Sequence, residues 1–152
     1  MSIWPRTPTN RGRAKQRPSR RPPDHVLSEE DAAILGIARH LFDTFGRPGS
    51  QSWRHAIAAS ERLGGPPGLL TALVEAVEAM CLSRRSVFRF SNPNCPGCAA
   101  KLTPHERQFM ACLRHVRRGE PDLAARHAFL LCEGNDTRQF LDSIGRIPAR
   151  GA

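Results

Sequence analysis

The strongest constraint on this chain is where its backbone has to break. Gly46 and Pro48, then Gly64-Gly65-Pro66-Pro67-Gly68, then Asn92-Pro93-Asn94-Cys95-Pro96-Gly97-Cys98, cut the sequence into short pieces. Gly119-Glu120-Pro121, Gly134-Asn135 and Pro148 do the same further on. Proline removes a backbone donor and clashes with the preceding helical turn, and glycine is costly inside a helix. Any helix between these points is short. Short helices are marginal alone, so the pieces must bury their apolar sides on one another.

The pieces read as helices. Ser28 stands before Glu29, Glu30 and Asp31, a capping residue followed by an acidic first turn. Ile34, Ile37, Ala38, Leu41, Phe42 and Phe45 then recur at helical spacing. A second helix is expected from about Ser50 to Leu63, with Trp53, Ala56, Ile57 and Leu63 inward. A third is expected from about Pro67 to Ser83, with a stripe from Leu70 to Cys81. Thr103-Pro104-His105-Glu106 reads as a capping box with proline at the first helical position, opening a fourth helix to about Arg118. A fifth over 121–133 and a short sixth from Asp136 follow. Residues 84–101 differ. Ser86-Val87-Phe88-Arg89-Phe90 alternates as a strand would but has no partner strand, so an extended connector is expected there. The fold class is all-α, an irregular bundle of five or six short helices.

Residues 1–25 consist largely of Pro, Arg, Ser and Thr and cannot bury enough surface to offset ordering, so they read as a disordered basic tail. Trp4 and Ile3 are its apolar exceptions and suit anchoring to a partner. Residues 26–148 read as one helical domain. No apolar run is long enough to span a bilayer, and the N-terminus lacks the apolar core of a secretion signal. A cytoplasmic location is expected.

The net charge of +9 is unevenly placed. Residues 1–23 carry seven basic residues and no acid. Residues 84–118 carry Arg84, Arg85, Arg89, Lys101, Arg107, Arg114, Arg117 and Arg118 against Glu106 alone. Those eight are the expected polyanion-binding surface, acting with the tail on phosphates or acidic groups. The competing reading is an ordinary solvated face. The chain has no Tyr, so a stacking platform for single strands is not indicated.

The cysteines carry the other chemical signal. Five are present, an odd number without a secretion signal, so reduced thiols or a metal site are favoured over a disulfide framework. Cys95-Pro96-Gly97-Cys98 puts two thiols on one side of a tight turn. Zinc needs two more ligands. Counting back from the turn at Gly119 brings Cys132 level with about Glu106, so Cys132 and His105 complete the expected set. Cys112 and His127 form a second set. An iron–sulfur cluster, a redox dithiol or plain apolar packing are the other readings of these thiols.

Nucleotide-binding, nucleophile-elbow and metalloprotease motifs are all missing from the sequence. The expected function is therefore a non-enzymatic accessory or regulatory protein that binds a protein or nucleic-acid partner, with a zinc knuckle locking its basic surface. The alternative is a metal- or thiol-dependent redox or regulatory sensor using Cys95, Cys98 and Cys132.

Overall fold

A computed structural model describes residues 26–149. The basic tail, with the order, anchoring and charge roles expected of it, lies outside the described residues.

Seven α-helices follow in order: α1 Glu29–Gly46, α2 Trp53–Leu63, α3 Leu69–Ser83, α4 Pro96–Ala99, α5 Pro104–Arg117, α6 Pro121–Leu131 and α7 Arg138–Arg146. No strand occurs among the described residues. The expected all-α bundle is present, with one more helix than the sequence suggests. The addition is α4, a single turn formed by the Cys-Pro-Gly-Cys segment itself.

The helix ends follow the local chemistry. Ser28 accepts the N–H of Asp31 at 3.1 Å. Both halves of the capping box close at α5: Thr103 Oγ1 accepts the N–H of Glu106 at 3.1 Å, and the Glu106 carboxylate accepts the N–H of Thr103 at 2.8 Å. Gly64 and Gly68 hold positive φ on either side of the break between α2 and α3, a conformation open to glycine at little cost.

Helices α5 and α6 form an antiparallel hairpin about Gly119, α7 lies along α3, and α1 packs on α2 and α3. The centre is filled by Ile34, Leu73, Val77, Met80, Phe109, Leu113, Phe140 and Ile144, all nearly inaccessible. Phe109 sits edge-on to Phe42 with ring centroids 5.3 Å apart and meets Phe140 at 5.8 Å, so the ring contacts join α1, α5 and α7.

Helix α2 departs from expectation. It starts at Trp53 because Pro48–Ser50 forms a separate 3-10 turn and Gln51 takes a left-handed conformation. Trp53 and Ile57 are 44% and 39% exposed. Ala56 is the buried residue of this helix, with Ala59 and Leu63 beside it. The small alanines let α2 lie close to α1, which turns the larger Trp53 and Ile57 outward. Trp53 keeps the Arg54 guanidinium over its ring at 5.3 Å.

Thr103 has a second role, since its hydroxyl donates to the carbonyl of Arg89 at 2.8 Å. Thr103→Ala removes the cap and that tie together and should lower stability by about 1–2 kcal/mol. A denaturant titration checks this. A midpoint equal to the parent's would show that α5 does not depend on its cap.

Candidate functional site

The connector between α3 and α5 is held by a buried ion pair. Arg39 projects from α1 between apolar neighbours, and Glu106 projects from the first turn of α5. Their side chains are 6% and 0% exposed. Arg39 Nε donates to Glu106 Oε1 at 2.7 Å and Arg39 Nη2 to Oε2 at 3.1 Å, the forked geometry that suits guanidinium and carboxylate. The same guanidinium donates to the carbonyls of Ala99 at 2.7 Å and Lys101 at 2.9 Å. The Glu106 carboxylate also accepts the N–H of Ser91 at 3.0 Å. A single pair of side chains thus fastens α1, both ends of residues 91–103 and the start of α5.

The beginning of the connector is fixed by Arg84 and Glu133. Arg84 is almost fully covered, donates to the carbonyl of Leu131, pairs with Glu133 at 3.3 Å and lies over the Phe88 ring at 5.7 Å. Glu133 accepts the N–H groups of Arg85 and Ser86 at 3.0 and 3.1 Å, and the Ser86 hydroxyl. The hydroxyl and the backbone N–H groups hold its carboxyl down at about 2.

Between these fastenings the alternating pattern of Ser86–Phe90 has a use without any partner strand. Phe88 and Phe90 turn toward Phe42, with ring centroids 4.3 and 5.8 Å away. Val87 faces outward and is 81% exposed. The two rings, with Phe42, Phe45 and Cys81, line a cleft of about 390 Å³ between the C-terminal ends of α1 and α3 and the connector. Arg47, Arg84 and Arg85 also line it. Arg47 is held at the rim by Asp43, 2.6 Å away. Burial pushes the Asp43 carboxyl up, but bonds from Ser52 and Arg47 outweigh it and leave the group below its ordinary value.

The expected metal ligands are not gathered. No group of three or more His, Cys, Asp or Glu side chains placed to hold a metal occurs among the described residues. His105 Nδ1 accepts the N–H of Arg89 at 2.8 Å, so in the neutral ring the proton is on Nε2, which faces the Arg84 guanidinium at 3.5 Å. Burial and the nearby Arg84 and Arg89 disfavour protonation of this ring. Cys132 is completely buried at the end of α6, and burial pushes its thiol up. In the second expected set, burial pushes the Cys112 thiol up to about 12, and its sulfur donates to the carbonyl of Ala124. His127 bonds Gln108 at 2.6 Å and stacks on His115 at 5.2 Å.

Cys95 and Cys98 are joined to each other, with Cα atoms 5.2 Å apart, while Cys81, Cys112 and Cys132 are free. The proline and glycine between the pair allow the single helical turn that makes this approach possible.

The eight expected polyanion-binding residues do not share one role. Arg84 is used by Leu131 and Glu133. Arg117 pairs with Asp31 at 2.9 Å and Glu30 at 3.5 Å, and donates to the Pro148 carbonyl. Arg85, Arg89, Lys101, Arg107 and Arg118 are exposed, and Arg114 is half-buried. His105 faces Arg89, and Arg107 follows it by two positions, roughly 200° around the helix. Arg114 and Arg118 lie on the Arg107 side, at intervals of seven and four residues. The connector arginines and the α5 arginines therefore flank different sides of α5.

Sequence reasoning missed Arg39, the second role of Glu106, the aromatic cleft and Glu133. The available signal was an arginine set inside the apolar run Ile37–Phe42. No known protein family, curated protein or solved structure matches the chain. No helix among the described residues is long and apolar enough to cross a membrane.

Because the Glu133 carboxyl is depressed from its usual 4.5 to about 2, its hold on the connector is complete above pH 4.5 and is lost as pH falls toward 2. Glu133→Gln should mimic the protonated form and reduce amide-exchange protection at Arg85 and Ser86 at neutral pH. Unchanged protection at both amides would show that Glu133 does not fasten the connector.

Proposed function

We propose that this is a non-enzymatic accessory protein that captures an acidic, apolar-anchored segment of a partner protein in the aromatic cleft. The observation that carries the reading is the pairing of an open phenylalanine-lined cleft with an arginine rim. Phe42, Phe45, Phe88 and Phe90 offer apolar surface, and Arg47 and Arg85 stand at the mouth. Val87, which also lines the cleft, is 81% exposed and leaves apolar surface at its edge open to a partner. Apolar anchors in a pocket supply affinity, and charges at the rim supply steering and choice of partner.

The charge of the chain points the same way. A net +9 attracts acidic partners over the distance that salt permits. A protein segment is favoured over nucleic acid because at least Arg84 and Arg117 of the eight expected phosphate contacts are used internally, and the connector arginines and the α5 arginines flank different sides of α5. A duplex backbone asks for a continuous basic track.

The test is a binding titration of the full chain with a short synthetic peptide of alternating Glu and Leu, its Lys–Leu counterpart and a DNA duplex. The acidic peptide should bind, the basic one should not, and Val87→Glu should weaken the complex by about tenfold or ~1.4 kcal/mol. Val87 is exposed, so this variant leaves the fold intact. Failure of the acidic peptide to bind, or equal binding to Val87→Glu, would overturn the proposal. Tight duplex binding that ignores Val87→Glu would assign the partner to nucleic acid instead.

A further inference from the structure

We propose that Cys95 and Cys98 form a reversible dithiol–disulfide site, reduced by thiol donors, whose state sets how firmly residues 99–101 hold Arg39. This does not rest on the cleft or its partner.

Three observations converge on it. The two residues are bridged across one helical turn, at a Cα separation of 5.2 Å that lies within the range a disulfide spans without moving the backbone. Access differs among the cysteines: Cys98 is exposed, Cys95 and Cys81 are half-buried, and Cys112 and Cys132 are fully buried. Burial also keeps the thiols of Cys81, Cys112 and Cys132 protonated, which makes them poor nucleophiles, so exchange is confined to the outer pair. Position gives the third observation. The N–H of Ala99 donates to the carbonyl of Cys95 at 2.8 Å, and the N–H of Lys101 to that of Cys98 at 3.0 Å. The carbonyls of Ala99 and Lys101 are the two that receive the Arg39 guanidinium. The bridge therefore lies one bonded step from the buried ion pair.

The chemistry balances with a thiol as the reductant. A thiolate attacks the Sγ of Cys98, the more exposed residue of the pair, and the Cys95–Cys98 bond breaks with the electron pair leaving on Cys95 Sγ, which takes up a proton. A second thiolate then attacks the donor's sulfur in the mixed disulfide, releasing Cys98 as a thiol after protonation. Two donor thiols become one disulfide, and the protein gains two electrons and two protons. Reduction removes the cross-link that limits the turn to one conformation, and the freed α4 turn loses its hold on the two carbonyls.

The experiment combines thiol alkylation, read by mass, with amide exchange on the full chain, equilibrated in graded mixtures of reduced and oxidised dithiothreitol. Oxidised protein should alkylate only at Cys81, Cys112 and Cys132 after unfolding, and reduced protein at all five cysteines, in one two-electron transition. Reduction should speed exchange at Ala99 and Lys101 about tenfold while the α5–α6 hairpin stays protected. Cys95→Ser should abolish the transition and show the reduced exchange pattern in every mixture. A pair that stays open in the most oxidising mixture overturns the site. A transition that persists in Cys95→Ser also overturns it. A closed pair whose reduction leaves Ala99 and Lys101 unchanged overturns the link to Arg39.

Discussion

The ion pair between Arg39 and Glu106 is the interaction on which the arrangement of this protein turns. Taking both charges out of water costs several kcal/mol per ion, and attraction between them offsets that only when the remaining donors and acceptors are satisfied. Here the carboxylate accepts from Arg39, Ser91 and Thr103, and the guanidinium also serves Ala99 and Lys101. The pair is therefore a junction for backbone groups that no regular element would satisfy. A long stretch without strand or extended helix is thereby seated against α1 and α5, and its phenylalanines against Phe42. The cleft exists because that stretch has a fixed course.

The same economy governs the charges. A count along the sequence gives residues 84–118 a strong positive excess, yet position decides what each arginine does. Arg84 closes the end of α6, Arg117 answers the acidic first turn of α1, and Arg39, outside both basic stretches, joins Glu106 to the connector. Arg85, Arg89 and Lys101 face solvent along the connector, Arg85 beside the apolar cleft. A few cations around phenylalanine surface favour a partner with its own apolar anchors.

Much of the fold was legible because its punctuation is local. Ser28, Thr103 and Glu106 cap within three residues of themselves, and the glycine and proline breaks act on their own backbone, so helix existence could be read directly. What was not legible depends on contacts between distant residues. Arg39 and Glu106 are 67 positions apart. Whether Trp53 points in or out depends on how closely Ala56 lets α2 approach α1. Cys132 lies at the end of a helix whose face the hairpin count cannot fix to within a residue, and His105 was spent on the Arg89 backbone. The Cys-Pro-Gly-Cys turn was visible, but its formation of a helical turn beside the Arg39 acceptors was not.

The most direct measurement is amide exchange at Ser91 and Thr103, whose N–H groups end on Glu106, in an Arg39→Lys variant. Lysine keeps the positive charge, but its single nitrogen cannot span the carboxylate and both carbonyls as the guanidinium fork does. Exchange at those two amides should quicken about tenfold or more while the α5–α6 hairpin keeps its protection. Unchanged exchange at Ser91 and Thr103 would contradict the claim that this pair holds the connector in place.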